Sequence, residues 1–206
     1  MRFRSLVIVV VVGIASLGAF AGGAAARGRP KHGHIKPDLS HVPKLTAIPP
    51  ELTAAFPVFH QPAVRAPDVV LRTFQDARTV QMFGTDPRQA RAITGLRGGT
   101  WYAIPGTKGV CLFADTAAGT CTATANAIAG KLMFFTPARD AGDVMSFMGL
   151  APTGFQTAST LLQSGATTSI PITPSGAYRL DAVGPFKTMA LTRADGSAPV
   201  VLAGLP

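Results

Sequence analysis

Cys111 and Cys121 are the only cysteines of the chain, and the residues around them leave few ways to fold. They fall within residues 100–124, TWYAIPGTKGVCLFADTAAGTCTAT, which also hold the single Trp and one of the two Tyr. Residues 100–104 are aromatic and β-favouring, residues 105–109 (PGTKG) carry turn chemistry, and residues 110–114 are apolar again, which predicts a hairpin. Residues 115–119 turn the chain once more into residues 120–124. If this second hairpin is symmetric about Thr116, Cys111 lies directly opposite Cys121. A facing pair at a non-hydrogen-bonded position brings the Cα atoms close enough for a disulfide. The expectation is therefore a Cys111–Cys121 staple, worth roughly 2 to 3 kcal/mol for so short a loop. A redox-active pair is the rival reading, but the spacing is not C-x-x-C and no base adjoins it.

Downstream, apolar segments recur every eight to twelve residues. Strands are expected at residues 131–135, 144–150, 156–162, 167–173, 178–183, 187–192 and 199–202, separated by Ser-Gly, Asp-Gly or Pro-Thr-Gly turns. Leu132 and Phe134 alternate with Met133 and Phe135, so the first of these strands reads as covered on both faces. Pro171 and Pro199 mark their strands as edges, since proline gives no ladder N–H. A helical turn is expected at residues 126–130. The fold class is mainly β: an antiparallel β-sandwich or small barrel-like domain of successive hairpins over residues 99–206.

The chain before residue 99 reads differently. Residues 1–26 have the parts of an export signal: Arg2 and Arg4, an apolar run from Leu6, and Ala24-Ala25-Ala26 as a small-residue cleavage pattern. Left uncleaved, the same run approaches the roughly 20 apolar residues that span a bilayer and becomes a signal anchor. Either way the remainder is extracytoplasmic. Residues 27–62, with seven prolines and no sustained period, read as an extended basic tether with at most a turn of helix at residues 51–55. Residues 63–98 read as a helical or irregular flanking segment. Within it, residues 67–83 suit either an amphipathic helix capped by Asp68 or two short extended pieces. Residues 86–93 (DPRQARAI) read as a short flanking helix with Asp86 as N-cap and Pro87 in the first turn.

Charge follows the same division. Residues 27–99 carry eleven Lys/Arg against five acidic residues, whereas residues 100–206 carry six against five. A near-neutral domain behind a basic leader suits an anionic envelope polymer or lipid surface as partner, not nucleic acid.

Candidate chemistry is sparse. From Gly99 onward there is no histidine, so a Ser-His-Asp or Cys-His site has no imidazole. His32 and His34 form a weak metal-binding pair without the third and fourth ligands of a dedicated site, and no cofactor is expected. Asp140 and Asp143, beside Arg139, lack the further oxygen ligands of a calcium loop. Asp115 and Asp195 occupy turn positions, where their side chains bond the backbone. Residues 95–99 lack the Lys-Ser/Thr ending of a phosphate loop. Trp101 and Tyr102 are the candidate ligand contacts. Alternation puts them on opposite faces of one strand, so at most one is exposed.

Several of these features together resemble an uncharacterised family of exported actinobacterial proteins with a disulfide-stapled β domain. They are the Ala-rich leader, Phe56-Pro-Val-Phe59 near Pro62, the short helix at residues 87–93, and the Trp/Tyr-x-x-Pro-Gly hairpin leading into Gly109-Val110-Cys111-Leu112. The second cysteine and the Gly-Leu-x-Pro-x-Gly step at residues 149–154 complete the set. His60 and Gln61 depart from it, where basic residues are common. The resemblance spans most of residues 56–206 and implies compartment and fold, but it transfers no catalytic residue. The function expected is that of a secreted or membrane-anchored cell-envelope binding module, with contact through the basic tether or with a protein at a sheet edge. The alternative is a secreted hydrolase or hydrolase inhibitor.

Overall fold

The two hairpins around the cysteines form in the expected register. In the computed structural model, which describes residues 36–97, 99–137 and 144–204, β1 (Arg91–Ile93), β2 (Trp101–Pro105), β3 (Gly109–Ala114) and β4 (Gly119–Ala123) make one antiparallel sheet in that order. Cys111 pairs with Cys121 across β3 and β4. Their Cα atoms stand 4.0 Å apart, the close spacing of a non-hydrogen-bonded pair, and the disulfide is formed. Reducing it, or replacing both cysteines by serine, is expected to lower unfolding free energy by about 2 to 3 kcal/mol. Denaturant titration with and without reductant measures this, and an unchanged midpoint would refute the staple.

Two further sheets follow. β5 (Leu132–Pro137), β6 (Val144–Leu150) and β9 (Ala177–Val183) form one, in the order β5-β6-β9. β7 (Phe155–Leu162), β8 (Thr167–Pro171), β10 (Phe186–Arg193) and β11 (Val200–Gly204) form the other, in the order β11-β10-β7-β8. The arrangement is thus three open antiparallel sheets, not a closed barrel. β8 and β11 are edges, as expected; Pro171 lies within β8, and Pro199 just before β11. The run of successive hairpins is interrupted once, because β9 leaves β8 and pairs with β6. The turn before β9 explains the exit: the Thr173 hydroxyl and amide are both bonded to Ala177, closing a local loop that ends the β8 ladder.

Three apolar layers hold the sheets together. One face of the first sheet (Trp101, Ala103, Val110, Leu112) packs with Leu132, Met148 and Leu150 of the second. The other face of the second sheet (Phe147, Tyr178, Leu180) packs with Ala158, Met189 and Leu191 of the third. The far face of the first sheet (Ile104, Cys111, Phe113) is covered by Val42, Val70, Leu71, Phe74 and Val80. Every residue of β3 is buried, which is why that strand reads as continuous apolar sequence. β5 is covered less fully than its sequence suggests: Leu132 is buried, but Phe135 is 42% exposed.

The chain before residue 99 is where structure and sequence part most. Residues 1–35, with the signal segment and the start of the tether, lie outside the described residues. Residues 36–62 are no tether: the compact unit begins at Lys36, and Val42, Leu45, Leu52, Phe56, Val58 and Phe59 are buried. Apolar residues set among prolines do this work without a period, as the chain turns through α1 (Pro50–Ala55) and a 3-10 turn at Pro57–His60. Residues 67–83 form two helices, α2 (Asp68–Thr73) and α3 (Ala77–Phe83), with Pro67 and not Asp68 at the N-cap of α2. The helix expected at residues 86–93 is one 3-10 turn, Pro87–Gln89, followed by β1. Asp86 caps that turn as expected, but the free edge of β2 pairs with residues 91–93 and overrides their helix propensity. α4 (Thr124–Ile128) is the expected helical turn, and no described helix is long and apolar enough to cross a membrane.

Burial also sets the response to alkali. Desolvation raises the phenol pKa of Tyr178 well beyond its ordinary value, and desolvation aided by the Asp115 charge raises that of Tyr102. A pKa raised in the fold contributes stability that is complete below the unfolded value of about 10 and lost as pH rises through the folded one. These are the only two tyrosines, so tyrosinate absorbance is expected in two steps, with the Tyr178 step accompanying loss of structure. Ionisation of both tyrosines at about pH 10 in the still-folded protein would contradict the burial of Tyr178.

Candidate functional site

The residues ahead of β1 build a cleft on the helical side of the first sheet. The Asp86 carboxylate accepts from the Leu45 N–H (2.9 Å), the Arg88 N–H (3.1 Å) and Arg88 Nε (2.6 Å). Arg88 Nη2 then donates to the carbonyls of Val42 (2.8 Å) and Pro43 (3.0 Å). This clasp fastens residues 42–45 against the domain. Asp38 turns the chain just before it by accepting from the Ser40 N–H, a bond that holds its carboxyl below the usual range. On the opposite wall, Val64 N–H bonds the Ala90 carbonyl and fixes residues 63–65 as extended chain before α2.

Between these walls lies a cleft of about 380 Å³. Its floor is Pro37, Leu39, Ala63, Val64, Leu71 and Pro87, and its rim carries Lys36, Arg65 and Arg88. Arg65 forms an exposed ion pair with Asp68 at 2.7 Å through Nη2, and its Nε and Nη1 make no hydrogen bond among the described residues. Within the described residues Arg88 Nη1 and Lys36 make no hydrogen bond or ion pair. The geometry is an apolar trough beneath Lys36 and two arginines that are each paired on one side with a carboxylate.

A second polar group crosses the middle sheet. Ser146 Oγ donates to Asp181 (2.6 Å), Arg179 Nε donates to the same carboxylate (3.1 Å), and Arg179 Nη2 donates to Ser146 Oγ (3.2 Å). Arg179 Nη1 reaches the Arg97 carbonyl at 2.6 Å. Ser146 is 2% exposed, and both its proton and its lone pair are committed. The arrangement ties the middle sheet to the loop before β2, and it does not present a nucleophile to a substrate.

The residues singled out in the sequence are distributed elsewhere. Trp101 is buried against Phe134 with ring centroids 5.1 Å apart, so it is core and not a ligand contact. Tyr102, on the opposite face as alternation requires, is half-buried beside Phe113 and Cys111 in the layer under the helices. Cys111 and Cys121 form the staple. His41 Nε2 donates to the Phe74 carbonyl at 3.1 Å, which fixes the segment before the clasp. His32, His34, Arg139, Asp140 and Asp143 lie outside the described residues. Among the described residues no group of three or more His, Cys, Asp or Glu converges to hold a metal ion. Lys36, Arg65 and Arg88 went unrecognised in the sequence, where the sole signal was the basic excess of residues 27–99. Comparison with models of protein families, with curated proteins and with solved structures finds no match.

Proposed function

We propose that this chain is an exported cell-envelope protein that works by binding, without catalysis, and that it engages an anionic envelope polymer or lipid surface. The observation that carries the reading is the cleft beneath Lys36, Arg65 and Arg88. It lies in the part of the chain that holds the basic excess, and residues 27–35, just before it in sequence, carry three more cations and no acid. Clustered cations with free donors attract anionic surfaces over about a Debye length and hold them by direct contact inside it.

The test is a pull-down of the tagged full-length protein on membrane and wall fractions, with the N-terminus of the recovered form sequenced. Retention at low salt that is released by high salt, with an N-terminus at Arg27 or Met1, is the expected result. Recovery wholly in the unbound fraction at low salt would overturn the reading.

A further inference from the structure

We infer that the cleft takes one single-chain anionic amphiphile, its acyl tail on the floor and its carboxylate or phosphate head at the cationic rim. The inference rests on the proposed envelope-binding reading and narrows it from charge to a ligand. An anionic polymer would need only the rim. The floor adds six apolar or proline side chains, among them Leu39, Val64 and Leu71, that a purely electrostatic site does not require. The volume of about 380 Å³ falls at the low end of ligand pockets, sized for one chain and not for two. The rim places Lys36, without a hydrogen bond or ion pair among the described residues, beside the remaining N–H donors of Arg65 and Arg88, whose ion pairs with Asp68 and Asp86 hold them in place, so the head finds charge-assisted hydrogen bonds where the apolar floor ends. The chain's own leader is a poor occupant on charge alone, since Arg27, Arg29 and Lys31 carry the same sign as Lys36, Arg65 and Arg88.

Ala63 lines the cleft and is exposed, so Ala63→Trp fills the floor without entering the core. The experiment uses dodecanoate below its micellar concentration with the full chain, in equilibrium dialysis, with butyrate as the head-only control and dodecyl maltoside as the tail-only control. Saturable binding of one dodecanoate is expected, weakened about tenfold or more by Ala63→Trp and by Lys36→Glu with Arg65→Glu, with both controls at least about tenfold weaker. Methyl NMR of the unsubstituted protein should show dodecanoate shifts at Leu39, Val64 and Leu71, which keeps the test independent of any variant's folding. Absence of saturable binding, or shifts centred on the third sheet, or binding indifferent to Ala63→Trp, overturns the inference. If dodecanoate fails while salt-sensitive envelope retention persists, the ligand assignment falls and the electrostatic reading stands. If dodecanoate binds but envelope retention is absent, the reverse holds.

Discussion

Asp86→Ala is expected to lower unfolding free energy by about 3 to 5 kcal/mol, the cost of breaking a buried ion pair from one side. Asp86 is fully buried, and its partner Arg88 retains 38% side-chain exposure, so the stranded cation is partly solvated and the lower end of that range is expected. Three donors lose their acceptor at once: the Leu45 N–H, the Arg88 N–H and Arg88 Nε. With Arg88 unanchored, its bonds to the Val42 and Pro43 carbonyls loosen, and residues 36–45 lose their hold on the first sheet. Val42 and Leu45 then leave the core, which adds to the loss. Asp86→Asn keeps an acceptor for Leu45 and should cost about half as much. Denaturant unfolding and tryptic cleavage after Lys44 report the two effects. A stability within about 0.5 kcal/mol of the parent, with Lys44 still protected, would show that the clasp is not what holds this segment.

Gly149→Ala is expected to cost about 3 kcal/mol by overpacking. Gly149 lies opposite Tyr178 across β6 and β9, and the phenol ring rests on the glycine where a side chain would stand. A Cβ there would collide with Tyr178 Oη and Cζ and would sit 2.7 Å from the Leu132 carbonyl oxygen, a backbone atom of the neighbouring strand. Tyr178 is fully buried and has little room to withdraw, so the strands must part. The ring's hydroxyl finds no hydrogen-bond partner among the described residues. Tyr178→Phe in the parent should therefore be neutral or stabilise by up to about 1 kcal/mol, because it removes an unpaired buried polar group. In the Gly149→Ala background it should recover only part of the loss, since Cζ and the Leu132 carbonyl remain. Full recovery would show that the hydroxyl alone sets the requirement for glycine.

How much of this could be read from the chain depends on how local the cause is. The Cys111–Cys121 pairing was legible because two turn signals fix the register between them. The edge position of β8 was legible because Pro171, inside it, excludes a ladder bond, and that of β11 was suggested by Pro199, which stands just before it. The pairing of β9 with β6 was not, since the Pro174-Ser175-Gly176 turn resembles a hairpin turn and only the Thr173 bonds to Ala177 divert the strand. Residues 91–93 read as helix because their propensity is local, while the edge of β2 that captures them is not. The burial of Val42 to Phe59 was hidden for the same reason: these apolar residues follow no period and are set among prolines, and the neighbours they pack against lie far along the chain. The cleft is the extreme case. Lys36, Arg65 and Arg88 are scattered through the basic half of the chain, and no spacing rule links them.

The central claim is that this cationic cleft attaches the protein to an anionic surface. Its most direct test is the affinity of the full chain and of its Lys36→Glu, Arg65→Glu variant for vesicles of anionic lipid, measured from low ionic strength to about 0.15 M. The variant should fold as the parent does, because the Arg65–Asp68 pair is solvent-exposed and contributes little. The parent is expected to bind tightly at low salt and to weaken as salt rises. The variant should bind about tenfold more weakly or worse at low salt, with a shallower salt dependence. Equal affinity and equal salt dependence for the two proteins would contradict the claim, because attachment would then owe nothing to the cleft.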